Sequence, residues 1–156
     1  MQTFTDKNGE CWSVELNVGT ARKVLADTGV DLINVLDFDE KKQEKNVLEK
    51  LADDPQLLVD VLFSLCSVQV KERNLDDFAF ATLFSGETVL QATECLMEEI
   101  INFSPPVRQK VLRKIHQTGK DLMGKMEEEV DKALASPEFT KIIEEEWQNL
   151  STGSQE

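Results

Sequence analysis

The chain has one histidine, His116, and several adjacent carboxylates, which are residue types that acid–base catalysis and metal binding use. No carboxylate that could orient the imidazole lies within one helical turn of His116. Adjacent helix residues point about 100° apart, so paired carboxylates seldom meet at one point. The sequence therefore predicts a surface histidine, solvated acidic faces, and no catalytic or metal-binding residue. The acidic runs concerned are Asp53/Asp54, Asp76/Asp77, Glu98/Glu99 and the glutamates at 127–129 and 144–146.

Cofactor sites also lack their usual sequence signals. The seven glycines are spread singly, and no Gly-Lys pair is followed by Ser or Thr, so a phosphate-binding loop is not predicted. Residues 37–40 open an acidic stretch that has neither the central glycine nor the final glutamate of a calcium loop. We therefore expect no cofactor, no metal and no enzyme activity.

The three cysteines, Cys11, Cys66 and Cys95, are too far apart for a metal-ligand motif, and their odd number does not suit a disulfide framework. The N-terminal segment lacks the basic-then-apolar pattern of a secretory signal. The longest apolar stretch, around residues 57–66, is too short to span a bilayer. These features predict a cytoplasmic protein, in a bacterium or in a host cell.

Acidic residues outnumber basic ones by 30 to 17, which gives a formal net charge of −13. Residues 105–126 carry six basic residues and one acidic residue, whereas residues 127–156 carry two basic and nine acidic residues. A negative field repels phosphate backbones and anionic bilayers, so neither nucleic acid nor a membrane is expected as a partner. A soluble partner with a basic face fits this charge, and so does the simpler role of keeping the chain in solution.

Residues 2–18 show the pattern of a β-hairpin. Asn8-Gly9 is a strong turn signal because both residues accept positive φ. Apolar and polar residues then alternate from 12 to 18, which places one apolar face inward. A lone hairpin is marginally stable in water, so this one is expected to pack on helices.

Helical spacing of apolar residues dominates the rest of the chain. A capping residue followed by proline predicts helix starts at Pro55, Pro105 and Pro137. A further helix is predicted from 20 to 28, ended by Gly29. Residues 30–36 suit either a helical turn or a strand, and residues 37–45 read as a solvated loop or a frayed helix start.

Two further helices, between residues 74 and 103, are predicted from a capping residue and apolar spacing. Asn74 is predicted to cap a short one, and the residues expected to face the core from it are Phe78, Ala79, Ala81, Thr82 and Leu83. Ser85-Gly86 then begins a helix with the apolar stripe Val89, Ala92, Leu96, Ile100 and Phe103.

The predicted fold class is mainly α (α+β). A small N-terminal β-hairpin is followed by a bundle of short helices and one long C-terminal helical segment. The predicted domains are a core of residues 1–104, a helical extension of residues 105–150 and a flexible tail of residues 151–156.

The extension carries both candidate partner-binding features. The first is its basic stretch, with Arg108, Arg113 and Lys114, which could meet an acidic partner or be neutralised by this chain's own acidic residues. The second is the apolar stripe of the last helix, represented by Phe139, Ile143 and Trp147. That stripe could dock on its own domain or enter a groove of another protein, where tryptophan is a frequent hot spot.

The layout of residues 2–104 resembles the small tail assembly chaperones of tailed phages and prophages. The segments that carry this resemblance are residues 4–18 (FTDKNGECWSVELNV), 29–32 (GVDL), 51–55 (LADDP), 77–78 (DF) and the helix from Ala92 through Leu96 to Asn102-Phe103. In that family an acidic hairpin-plus-helix protein keeps the long, aggregation-prone tape measure protein soluble while the tail tube forms. The resemblance implies the same role here, with a tape measure or tail tube protein as partner.

We therefore expect a non-catalytic protein-binding factor, of the tail assembly chaperone type. The alternative is a structural or regulatory helical subunit of a stable, phage-type complex. Homo-oligomerisation stays open under both hypotheses. Both rest on the apolar stripes of the helices outnumbering what one small body must bury.

Overall fold

A computed structural model describes residues 1–35 and 46–153 of the chain. The predicted solvated segment at 37–45 and the last three residues of the predicted tail lie outside the described residues. Residues 30–35 form neither a helix nor a strand. The described chain is mainly helical and starts with a two-stranded hairpin, so the predicted fold class is confirmed.

The hairpin consists of β1 (Gln2–Thr5) and β2 (Cys11–Val14), which pair antiparallel with Phe4 opposite Trp12. Both of these aromatic side chains are buried. Gly9 closes the turn with a φ of 83°, in the left-handed region that glycine enters without a Cβ clash. The predicted hairpin is confirmed, although β2 is shorter than the alternating pattern indicated.

Strand β2 ends at Val14, which pairs with the first residue of β1, Gln2, and the next helix begins sooner than predicted. Helix α1 (Val18–Thr28) is capped by Asn17, whose side chain accepts a 2.9 Å hydrogen bond from the backbone nitrogen of Thr20. The Thr20 hydroxyl accepts one from the Asn17 nitrogen in return, which completes a capping box. Gly29 ends α1 with a φ of 76°, as predicted.

Asp6 joins the turn to the hydrophobic core. Its Oδ1 accepts hydrogen bonds from the backbone nitrogens of Asn8 (2.8 Å) and Glu10 (3.1 Å), and its Oδ2 accepts one from Nε1 of Trp12 (2.8 Å). Burial acts to raise the pKa of Asp6, but these hydrogen bonds and the charge of Arg73 outweigh it. The pKa of Asp6 therefore lies below its ordinary value.

Replacing Asp6 with alanine is expected to lower the free energy of unfolding at pH 7 by about 2–3 kcal/mol, because the buried indole N–H of Trp12 would lose its acceptor. The folded-state pKa is depressed, so the ionised carboxylate stabilises the fold above pH ~4 and this contribution fades as pH falls through the folded pKa. Urea denaturation should show the gap between wild type and variant shrinking below that pH. The exposed Asp131→Ala variant is the control, with a change within about 0.5 kcal/mol.

Three helices follow residue 46: α2 (Val47–Asp53), α3 (Pro55–Leu65) and α4 (Ser67–Glu72). Asp54 caps α3 as predicted, because its Oδ1 accepts hydrogen bonds from backbone nitrogens in the first turn of α3. The chain leaves helical geometry at Cys66 and starts α4 there, so α3 and α4 are separate helices.

The prediction for α5 (Asp77–Ala81) is wrong in its cap and in its buried face. Asp76 caps the helix through its side chain, while Asn74 adopts a left-handed φ of 54° before it. Phe80 is fully buried, whereas the predicted Phe78 is 75% exposed, and Ala81 and Thr82 are exposed too. A helix this short has too few turns for apolar periodicity to select a face, so contacts with other elements decide.

Those contacts form an aromatic cluster around Phe80. Its ring centroid lies 5.1 Å from Trp12, 5.1 Å from Phe84 and 5.6 Å from Phe63. Phe4 extends the cluster, with its ring 5.7 Å from Phe84. These ring contacts bring the hairpin, α3 and α5 into one core.

Helix α6 (Gly86–Phe103) packs against β1 and completes this core. Ser85 caps it by accepting from the Thr88 nitrogen at 3.3 Å. Three members of the predicted stripe are buried, and the first and last are half-buried. The cap and the buried face of α6 are therefore confirmed.

The last two helices are α7 (Pro106–Leu134) and α8 (Pro137–Gly153). The chain divides into two compact units, Met1–Leu112 and Arg113–Glu156, and the boundary between these units falls inside α7. Leu112 is buried, which ties the start of α7 to the first unit. Residues 151–153, placed in the predicted tail, continue α8. Among the described residues, none of the helices is long and apolar enough to cross a membrane.

Candidate protein-binding surface

The second unit exposes large apolar side chains on both of its helices. Each of the side chains named below is between 42% and 69% exposed. Large apolar side chains exposed in such number are typical of a surface that another molecule covers. We call this set the C-terminal apolar face: Ile115, Leu122, Met123, Met126, Val130, Leu134, Ile142, Ile143, Trp147 and Leu150.

The α7 part of the face arises from helical spacing. Leu122, Met126 and Val130 follow one another at four-residue intervals, so they lie along one side of the helix. Leu112 is the only buried residue of α7, and the helix continues from there to Leu134, roughly 33 Å further. The apolar stripe thus extends well past the residues that the core of the first unit encloses.

The α8 part of the face includes two of the three predicted residues of the last helix, Ile143 and Trp147. Ser136 caps α8 by accepting a 3.2 Å hydrogen bond from the backbone nitrogen of Phe139. Phe139 is half-buried, while Ile143 is 42% and Trp147 69% exposed. No described residue of α8 is buried, so its amphipathic face is available to a partner.

The predicted basic residues lie on α7 and are exposed. Arg108 belongs to the first unit, whereas Arg113 and Lys114 open the second. Adjacent helix positions point about 100° apart, so Arg113 and Lys114 present their charges to different sides. These residues can therefore border an apolar contact rather than form one concentrated basic site.

Sequence reasoning missed the α7 residues of the C-terminal apolar face as a binding feature. Among the apolar residues of the C-terminal helices, only those of α8 were predicted as partner contacts. The sequence signal that could have identified them is length. The apolar stripe from Val107 to Leu134 is longer than any of the helices α1 to α6. An apolar stripe longer than the helices available to pack on it leaves some of its side chains exposed.

The first unit has an open groove that the sequence did not predict. Three carboxylates from different helices, those of Asp27, Asp60 and Asp77, line it together with the apolar Leu57 and Phe63. Tertiary packing has brought acidic residues from separate helices to one place. We call this the acidic groove.

One carboxylate of the acidic groove has a structural role. Oδ2 of Asp27 accepts hydrogen bonds from Nζ of Lys23 (2.9 Å) and from the hydroxyl of Ser64 (2.7 Å), so it links α1 to α3. The bond from Lys23 and then that from Ser64 hold the pKa of Asp27 below its ordinary value. Asp27 is thus already engaged in holding the fold together.

The cysteines have different environments. Burial raises the pKa of both the Cys66 and the Cys95 thiol to about 12, so these two thiols stay protonated at neutral pH. Cys66 also donates a weak hydrogen bond to the carbonyl oxygen of Ser13, at 3.6 Å. Cys11 is exposed, and none of the three forms a disulfide.

A thiol titration tests this difference. With an aromatic disulfide reagent, the native protein at pH 8 should release about one equivalent rapidly, from Cys11, because only exposed thiols ionise and react readily. Denaturation in urea should release the other two. Cys11→Ser should abolish the fast phase alone, and a fast phase of three equivalents in the native protein would contradict the burial described.

The exposed face, its flanking charges and its helical form are suited to holding another polypeptide through many modest contacts. Methionines at its centre add flexible side chains that adapt to irregular surfaces. Compared with models of known protein families, with curated proteins and with solved structures, the chain matches none of them.

Proposed function

We propose that this protein binds an apolar, helix-forming segment of another protein and keeps that client soluble before assembly. The observation that carries the proposal is the C-terminal apolar face, which one copy of the chain leaves exposed on both helices of its second unit. Apolar surface of this extent on a soluble chain is typical of an interaction site. Two amphipathic helices can pack their stripes against a client helix, as in helix-in-groove recognition.

The charge of the chain supports this role. A net charge of −13 gives the complex of chain and client strong mutual repulsion from its own copies, which counters aggregation. The side chains of the face are mainly aliphatic and sulfur-containing, with Trp147 as the one large anchor. Contacts of that kind can give an affinity that retains a client and still allows its release.

The specific version of the proposal is a tail assembly chaperone of a tailed phage or prophage, acting in the cytoplasm on a tape measure protein. It rests on the resemblance of residues 2–104 to that family. A tape measure chain should expose apolar helical surface before the tail tube encloses it, and such a surface matches the C-terminal apolar face in character. The role needs no catalytic residue, and substitution of His116 should therefore leave client binding intact.

The alternative is a helical subunit that stays in a finished complex. The length of α7, with 29 residues, favours it, since a long amphipathic helix can form a permanent interface. The two functions differ in the fate of the chain: a chaperone leaves the mature tail, while a subunit remains. Mass spectrometry of purified mature particles separates them.

Co-expression tests the proposed function. The probe is the product of a very long gene next to the gene for this chain, and its soluble fraction is the readout. Wild-type chain should raise that fraction several-fold, whereas Ile143→Asp combined with Trp147→Asp should not, because two charges would enter the apolar contact. Gln148→Asp is the matched control, since it adds a charge to the same helix outside the face. An unchanged soluble fraction with wild-type chain would count against chaperoning.

A further inference from the structure

The C-terminal helices consist of two successive segments with opposite net charge, residues 105–126 and residues 127–156. Residues 105–126, on α7, carry six basic residues and one acidic residue, a net of +5. Residues 127–156, the end of α7 and all of α8, carry two basic and nine acidic residues, a net of −7. Lys114, Lys125, Glu145 and Glu146 are all exposed. A surface of this composition is complementary to itself when two copies run in opposite directions.

Within one copy, the two helices do not cover each other's apolar side chains. The connection between them is short and hydrogen-bonded: the Ala135 nitrogen donates to the Asp131 carbonyl at 3.0 Å, and the Ser136 nitrogen donates to the Ala133 carbonyl at 3.2 Å. The cap from Ser136 to Phe139 then fixes the start of α8. With the connection held in this way, the apolar residues of both helices remain exposed.

The exposed area is sufficient for pairing. The side chains of the C-terminal apolar face are each about half exposed. If two copies covered each other's faces, they would bury apolar area on the order of 1,000 Å², the size at which specific protein interfaces begin. The charged residues at the borders of the face would add polar area and fix the direction of pairing.

We propose that two copies of this chain pair through their C-terminal apolar faces, with the basic part of α7 in each copy lying along the acidic α8 of the other. The arrangement is two-fold symmetric, so both contacts are of the same kind and both are attractive. It does not depend on the proposed function, because the occupant of the face is a second copy of the chain. In the absence of a client, pairing covers the apolar side chains that a client would otherwise cover.

A charge-swap experiment on the full chain tests the pairing. One variant carries Lys114→Glu and Lys125→Glu on α7, and a second carries Glu145→Lys and Glu146→Lys on α8. Each variant alone would place like charges opposite one another at both contacts, so its dimer dissociation constant should rise about tenfold or more. An equimolar mixture restores opposite charges at both contacts, and it should therefore form a heterodimer as stable as the wild-type dimer.

Sedimentation equilibrium gives the masses, and circular dichroism confirms that each variant keeps its helix content. The expected results are a wild-type dimer, weakened dimers for each variant alone and a restored dimer for the mixture. A wild-type chain that stays monomeric at 100 μM or more would overturn the proposal, and so would a mixture no more associated than its components. The co-expression test measures client solubility separately, so a monomeric chain that still solubilises its client would remove the pairing and leave the proposed function standing.

Discussion

Replacing Phe80 with alanine is expected to lower the free energy of unfolding by about 4 kcal/mol, because the substitution empties the centre of the aromatic cluster. Phe80 is fully buried, and its ring touches Trp12, Phe84 and Phe63, so neighbouring elements cannot all close the cavity. A loss of that size is a large share of the roughly 5–15 kcal/mol that stabilises a typical domain. Urea denaturation followed by circular dichroism measures it.

Phe78→Ala provides a matched control on the same helix. Phe78 is 75% exposed, so its removal should change the free energy of unfolding by no more than about 0.5 kcal/mol. Equal losses for the two variants, or a larger loss for Phe78→Ala, would show that α5 presents the opposite face to the core.

Replacing Trp147 with alanine is expected to weaken client binding by about 30-fold while leaving the fold intact. Central tryptophans commonly contribute 2 kcal/mol or more to an interface, which corresponds to about that factor in affinity. Trp147 is 69% exposed in the free chain, so its loss should change the free energy of unfolding by less than about 0.5 kcal/mol. Titration of tagged client, taken from the co-expressed complex, measures the affinity.

Gln148→Ala is the control for Trp147→Ala, because it removes an exposed side chain of similar length from the neighbouring position on α8. It should leave the affinity within about twofold of wild type. If Trp147→Ala bound the client as tightly as this control does, α8 would not be the contacting helix.

Helix ends that are set by a single capping residue were predictable, because local chemistry determines them. The Asp54 cap, the Ser85 cap and Gly29 each act on backbone groups within a few residues, and each lies where the sequence indicated. The hairpin turn is local for the same reason. Prediction of these features needs no knowledge of what packs against them.

Features that depend on distant contacts were not predictable from spacing. The choice between Phe78 and Phe80 is made by Trp12, which lies more than sixty positions earlier in the chain. The acidic groove collects Asp27, Asp60 and Asp77 from separate helices, and no motif marks such a meeting.

The boundary between the two units was also beyond the sequence signals. It falls at Leu112, inside a continuous helix, where neither proline nor glycine marks the change. Leu112 is buried, whereas Val111 and Ile115 on the same helix are exposed, and the apolar type of these three residues does not distinguish them. In the candidate site, the residues of α8 could be proposed from their apolar stripe alone, whereas those of α7 were recognised only from their exposure in the structure.

Methionine oxidation tests most directly whether another polypeptide covers the C-terminal apolar face. Met123 and Met126 are 65% and 60% exposed on the face, Met1 is 77% exposed in the first unit, and Met97 is 7% exposed. Peroxide should oxidise Met1, Met123 and Met126 quickly in the dilute free chain and Met97 slowly. In the complex with its client, we predict that Met123 and Met126 become several-fold slower while Met1 keeps its rate. Unchanged oxidation of Met123 and Met126 in that complex would contradict the account.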